Sequence, residues 1–316
     1  MAVPPKTLVL VNPASGKGAA SRQAKLVAEL LRKRGCAAEF VESTSAADLR
    51  TCAQQARAAG FQCVAVMGGD GAVHHALQGV FGTGAALAVF PAGHGNDVAA
   101  ALGLPADPVA AADLFSRCVA RPVDVLRVSF LREAADELGT SGAAFCLGVA
   151  GAGLDAEAAR AAETRFPGLN GAARYMAAAL WSLFSFEPFP LTVELDGERV
   201  LEGAPAIVAA VASGPCYGGG IRIAPGAVMD DGEMDLTVVA PLSWARALEV
   251  VPLLLRPAGA GGELRWPEMR RFRGRRARLS TDRLVPFQAE GELLGTTPVE
   301  AELLPGAIRV FAPDQV

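Results

Sequence analysis

The stretch VAVMGGDGAVHH, residues 64–75, sets three glycines and an aspartate between an apolar run and a helix-like segment. Gly68, Gly69 and Gly71 leave the backbone open to direct approach by a ligand. Exposed N–H groups at the opening of a helix attract anions, phosphate above all. Asp70 runs against this, because a carboxylate repels phosphate unless a cation lies between them; a magnesium nucleotide resolves the conflict. Two other turns share the character: VNPASGKG at 11–18, and PAGHGND at 91–97 with Asn96 and Asp97. Taken singly, each is an ordinary strand-to-helix turn. Two familiar phosphate motifs do not fit. Val11 stands at the first glycine position of a Walker-type loop and Gly18 replaces its Ser/Thr, and GGDGAV lacks the GxGxxG spacing. Three glycine-rich turns carrying Asp70, Asn96 and Asp97 at one sheet edge point instead to a different nucleotide site.

Such turns need strands to end and helices to begin. Thr7–Val11, Val64–Met67 and Ala85–Phe90 are short apolar runs of the buried-strand type. Ala19–Arg34 has helical spacing, with Leu26 and Leu30 beside Val27 and Leu31, and stops at Gly35. Ala37–Glu42 reads as a strand, and Ser43 or Ser45 caps a helix that ends near Gly60. Further helices are predicted from Ala72 and over Val98–Leu102. These repeated βα units predict an α/β domain with a doubly wound parallel sheet over residues 1–124, its ligands at the C-terminal strand ends.

From 125 to 304 the texture changes. LTVELDGERVLEG (191–203) alternates and turns at Asp196-Gly197, a hairpin signal. Strands follow at Ala206–Ala212, Met234–Val239, Arg276–Ser280, Val285–Ala289 and Val299–Leu303, interrupted by helical patches at Gly171–Phe184 and Trp244–Leu255. The expectation is a mostly antiparallel, β-sandwich-like domain with helical insertions. AIRVFAP, within 305–316, reads as a strand returning to the first domain.

At 316 residues and 51% hydrophobic content, two cored domains are expected. A net charge of −4 argues against nucleic-acid binding. Six scattered cysteines without CxxC spacing, and only three histidines, argue against zinc and suit buried thiols in a reducing cytosol. The N-terminus has no signal-peptide pattern, and the longest apolar segment, near Ala177–Phe186, is too short to span a membrane. A cytoplasmic protein is expected. Three features read blandly on their own: His74-His75 as a partly exposed helix face, VMDDGEMD (228–235) as a solvated acidic loop, and AEGEL as a hairpin turn. RWPEMRRFRGRRARLS (265–280) holds seven arginines, either a cationic face for anionic lipid headgroups or a solvated strand.

In this order, VNPASGKG, GGDGA (68–72), PAGHGND, GPCYGGG (214–220), APGAVMDDGEMDLTVV (224–239) and EGE (290–292) resemble the diacylglycerol kinase catalytic-domain family, which takes in bacterial soluble lipid kinases and sphingosine kinases. GGDG alone is shared with NAD kinases and phosphofructokinases; the six-part series spans most of the chain. The resemblance implies a kinase that uses ATP and Mg²⁺ to phosphorylate a lipid hydroxyl, diacylglycerol by default. Its partners would be the lipid and a peripheral membrane surface, with a homodimer left open. It sets the nucleotide between the domains, against Asn12, Pro13, Ala14, Ser15, Gly16, Thr44, Gly68, Gly69, Asp70, Gly71, Ala72, Val73, His74 and His75.

His94 stands where the family has threonine and is expected to donate an N–H to a phosphate. Glu292 takes the family's proton-acceptor position, and Glu290 stands where an aspartate is usual. Asp124 joins Asp70 and Asp97 in a water-and-magnesium network near the phosphates. Within the acidic run, the Asp231 carboxylate and the Val228 and Glu233 carbonyls are expected to hold a structural magnesium. Tyr175, Trp181, Phe184 and Phe186 are candidates to line an acyl-chain crevice. A kinase of a small acceptor such as NAD, and a non-catalytic nucleotide- or lipid-binding relative, are the alternatives. EGE and the Asp231 loop favour the lipid family over NAD kinases.

Overall fold

The computed structural model describes residues 5–131, 141–166, 177–178, 181–183, 185–243, 245–246, 249 and 266–313. The chain divides into two compact units, Met1–Val125 with Pro305–Val316, and Leu126–Leu304.

In the first unit, β1 (Thr7–Val11), β2 (Ala38–Glu42), β3 (Cys63–Gly68) and β4 (Ala86–Pro91) pair in parallel in the order β2-β1-β3-β4. Every residue of β1, β3 and β4 is buried. Burial on both faces is why these strands read as unbroken apolar runs rather than alternating ones. Helices α1 (Ala19–Lys33) and α5 (Pro108–Phe115) cover one face, where Val27, Leu31, Ala112 and Phe115 meet Val9, Val11, Met67 and Phe90. Helices α2 (Ala46–Ala56) and α3 (Asp70–Val80) pack on each other and on the sheet, with the short α4 (Asp97–Ala101) beside α3. The α2–α3 approach is close: a Cβ at Gly79 would collide with the Arg50 carbonyl.

Ser45 caps α2, its hydroxyl accepting from the Asp48 N–H at 3.1 Å. The Ser43 hydroxyl donates instead to the Val11 carbonyl at 3.2 Å. The α3 helix begins at Asp70, two residues before the expected Ala72. Residues 305–312 do return to this sheet: Val310 pairs in parallel with Leu87, and Phe311 stacks edge-on against Phe115 at 4.8 Å.

In the second unit nearly everything is antiparallel. Its strands are the end of β5 (Val119–Leu131), β6 (Ser141–Cys146), β7 (Val149–Gly153), β8 (Phe189–Leu195), β9 (Glu198–Ala206), β10 (Val208–Ala212), β11 (Met234–Val239), β12 (Met269–Gly274), β13 (Arg276–Thr281), β14 (Pro286–Ala289) and the start of β15 (Glu292–Ala312). One path runs β12-β11-β10-β7-β14-β15, and another β15-β13-β8-β9. Phe189, Leu191, Val193 and Leu279 from the second path share one core with Val211, Leu236 and Phe287 from the first. This is the mostly antiparallel, sandwich-like arrangement expected.

The Asp196-Gly197 turn has positive φ at both residues (51° and 88°), the requirement of a type I′ hairpin. The α6 helix (Leu154–Thr164) follows β7 directly. Most of the two predicted helical patches, Gly171–Phe184 and Trp244–Leu255, lies outside the described residues.

Candidate functional site

The order β2-β1-β3-β4 puts a topological switch between β1 and β3, and open parallel sheets bind ligands outside the carboxyl ends of strands at such a point. The turns after β1 and β3 flank it, and the turn after β4 lies alongside. After β1, the Asn12 side chain accepts from the Ala14 N–H at 3.1 Å, and Gly16, Lys17 and Gly18 all take positive φ. A Cβ on Gly16 would collide with the Ala92 carbonyl. Gly69 and Gly93 face each other likewise: a Cβ on Gly93 would sit 2.5 Å from the Gly69 Cα, and one on Gly69 3.1 Å from the Gly93 Cα. The three turns therefore touch backbone to backbone; a Cβ is excluded at Gly16 and Gly93 and crowded at Gly69.

At the α3 opening, the N–H groups of Gly71 and Ala72 have no carbonyl four residues back within the helix. Asp70 is the first helical residue, where the helix dipole favours a negative charge. Its Oδ1 also accepts from the Val98 N–H at 3.0 Å, tying it to the start of α4 beside Asp97. Asn96, left-handed at φ 58°, closes the turn after β4: its amide accepts from the Gly93 N–H (2.9 Å) and donates to the Gly93 carbonyl (3.1 Å). His94 is exposed at the tip of that turn.

Other residues of the first unit have duties of their own. The Thr44 N–H and hydroxyl both donate to Asp48 Oδ2 (2.8 and 3.1 Å) and hold that carboxyl below its usual range. Asp124 is buried and accepts from the Gly306 N–H at 2.7 Å, fastening the returning segment. The His74-His75 pair, expected as a partly exposed helix face, is divided between a buried and a half-buried ring. His74 is 2% exposed, His75 is half-buried, and the two rings meet edge-on at 5.5 Å.

In the second unit, EGE is a tight hairpin turn. Glu290 (φ 53°) and Gly291 (φ 88°) form a two-residue type I′ link between β14 and β15, with Ala289 opposite Glu292. Glu290 Oε1 accepts from the buried N–H groups of Leu147 (2.9 Å) and Gly148 (2.8 Å). Gln288 Oε1 accepts from the Gly291 N–H at 2.8 Å, and Gln288 Nε2 donates to Asp155 Oδ2 at 3.1 Å. Burial pushes the Asp155 carboxyl up, and burial together with the Asp155 charge pushes the Tyr217 phenol well above its usual value. Glu292 is half-buried at the first position of β15. Gln288 and Asp155 escaped sequence reasoning, although GAGLD, another glycine-rich strand-to-helix turn, offered a signal for Asp155.

In the acidic turn the Asp231 carboxylate has partners within the protein. One Asp231 oxygen accepts from the Glu233 N–H at 3.0 Å, and the other is paired with Arg273 Nη2. The same guanidinium reaches Glu233 at 3.0 Å and Asp235 at 3.6 Å, so an arginine brings positive charge to the turn where the Val228 and Glu233 carbonyls and Asp231 are expected to hold a metal. Among the described residues, no three His, Cys, Asp or Glu side chains gather as a metal site.

Others of the arginine run are also paired, Arg276 with Glu302 (2.6 Å) and Arg278 with Glu300 (3.4 Å). Of the proposed crevice, Tyr175 and Phe184 lie outside the described residues. The Trp181 ring lies against Arg165 at 4.0 Å, and Phe186 packs on Phe189 in the core.

A family model described as the diacylglycerol kinase catalytic domain matches residues 6–128, and the YegS C-terminal NAD kinase beta sandwich-like domain matches residues 148–312. A diacylglycerol kinase of Mycobacterium tuberculosis is 31% identical over 98% of this chain and 95% of its own. The chain belongs to the diacylglycerol kinase family. A diacylglycerol kinase of Bacillus subtilis is a more distant relative in this family, 24% identical over 97% of this chain and 96% of its own. The crystal structure of a Bacillus anthracis diacylglycerol kinase shares the fold, with a TM-score of 0.70 at 20% identity over 98% of this chain and 97% of that one. The yeast NADH kinase in complex with NADH shares it more loosely, with a TM-score of 0.53 at 11% identity over 99% and 84%. Lipid-kinase family membership thus rests on both halves of the chain. Among the described residues of this family member, no helix is long and apolar enough to cross a membrane.

Proposed function

We propose that the protein is a lipid kinase that takes the γ-phosphoryl of ATP, with magnesium, to a lipid hydroxyl at a membrane surface, diacylglycerol being the first acceptor to test. The observation that carries this reading is the backbone-to-backbone packing of three glycine-rich turns at the switch point of a family member's sheet. Turns that present N–H groups and few side chains suit a polyphosphate. The hard oxygens of Asp70 and Asp97, at two adjoining helix starts, fit a magnesium ion bound with the nucleotide. When bound, that ion neutralises phosphate charge. Asp124 holds the returning segment, and Asn96 keeps the third turn closed.

Glu292 is the proton acceptor for the lipid hydroxyl. Its turn is fixed by the Glu290 carboxylate, so the residue that replaces the family's aspartate reaches two backbone donors.

The test is transfer from labelled ATP in the presence of magnesium to dispersed diacylglycerol, other lipid alcohols and NAD. Label in the lipid phase, reduced about 10²–10⁴-fold by Glu292→Gln, is the expected result. Label on NAD alone would replace the lipid acceptor with a small one. ATP binding without transfer to any acceptor would make the protein a non-catalytic relative.

A further inference from the structure

We propose that Gln288 and Asp155 are positioning residues for Glu292, a role that rests on Glu292 being the proton acceptor. A two-residue type I′ turn with glycine in its second place needs no further support to form. This one is nevertheless pinned on both sides. Glu290 is fastened to Leu147 and Gly148, and the next residue, Gly291, donates its N–H to Gln288. Glu292 follows immediately.

The connection behind Gln288 has a fixed polarity. The Gly291 N–H can only donate, so Gln288 presents its carbonyl oxygen there and must turn its NH₂ towards an acceptor. That acceptor is Asp155 Oδ2, while Asp155 Oδ1 accepts from the Ala156 N–H at 2.9 Å at the start of α6. Neighbouring residues are shaped to allow this. Gln288 is 2% exposed, and the β14–β15 register shifts by one residue between Phe287 and Gln288, with Leu294 of β15 left unmatched beside it. Gly151, opposite Gln288 on β7, has no side chain; a Cβ there would collide with Asp155 Oδ2. The run α6–Asp155–Gln288–Gly291 thus sets the backbone one residue before Glu292. Misplacing a catalytic group by about 1 Å can lower a rate about 10²-fold.

The full-length protein is assayed for kcat and for KM towards ATP with diacylglycerol in mixed micelles. Gln288→Met removes both hydrogen bonds at nearly constant volume and is expected to lower kcat roughly 10–100-fold with KM for ATP unchanged. Gln288→Glu keeps an acceptor for Gly291 but sets a carboxylate against Asp155, and kcat should fall similarly. Adding Asp155→Asn reverses the polarity, with an amide at position 155 now donating to the carboxylate at position 288, and should restore kcat to within a few-fold of the parent.

In a Glu292→Gln background, Gln288→Met should cost nothing further. Parental kcat in Gln288→Met overturns the proposal. So does a full multiplicative loss in the Glu292→Gln background, or a folded swap variant no faster than Gln288→Glu alone. If Gln288→Met does not fold, the swap pair decides. Parental turnover in Glu292→Gln would refute the base assignment itself and is read separately.

Discussion

Replacing Glu290 by alanine should destabilise the second unit by about 3 kcal/mol. One carboxylate oxygen accepts from two N–H groups that are otherwise buried, those of Leu147 and Gly148. A hydrogen bond to a charged acceptor contributes roughly 1.5–3 kcal/mol net, and the lower value applies because Glu290 is only half-buried and partly screened. The left-handed backbone at φ 53° costs a residue with a Cβ about 1–2 kcal/mol. Alanine keeps that strain and glycine removes it, so Glu290→Gly should lose only about 2 kcal/mol. Glutamine retains an acceptor at the same atom without the charge; at about 0.5–1.5 kcal/mol per neutral bond, the two bonds keep about 1–3 kcal/mol, so Glu290→Gln should lose at most about 2 kcal/mol. Urea denaturation followed by tryptophan fluorescence and circular dichroism measures the series. An alanine variant within about 0.5 kcal/mol of the parent, or a glycine variant less stable than alanine, would refute the staple.

Asp70→Asn should fold normally, because an amide oxygen can still accept from the Val98 N–H, but should need more magnesium for half-maximal transfer; an unchanged magnesium titration would remove Asp70 from the cation's shell. His94→Ala should weaken ATP binding roughly 2–10-fold, the worth of one exposed hydrogen bond, and His94→Thr should recover part of it; equal affinities by calorimetry would make His94 incidental. Arg273→Met should leave three acids facing one another and lower the melting temperature by roughly 2–8 °C, whereas a chelator should not move the parent's. A parent that melts earlier with chelator would restore the metal to the Asp231 turn.

The parallel sheet was legible because two-sided burial writes itself as unbroken apolar runs at 7–11, 64–67 and 85–90. Asp196-Gly197 was legible because its backbone admits few other residues. The strands SGAAFC and VAGAG were not, since small residues carry little β-propensity and these are held by pairing to β5, β10 and β14.

At the site, the three turns could be read from glycine spacing, while the contacts that fix them could not. Gln288 and Asp155 are 133 residues apart, and Arg273 and Asp231 are 42 apart, so no local pattern expresses either pair. The burial of His74 is likewise a tertiary property, about which the α3 sequence carries no information.

The pairing of Val310 with Leu87 has a consequence for biosynthesis. The two positions are 223 apart, so at about 5–20 residues per second the ribosome delivers the second some 10–45 s after the first. Throughout that interval the outer edge of β4 has no strand beside it, Asp124 has no Gly306 to hold, and Phe115 no Phe311. An uncovered edge of this kind is a template for wrong pairings with other chains. Recombinant yield should therefore respond to slower translation of the 126–304 segment or to early chaperone occupancy, since the half of the molecule made first is the half completed last.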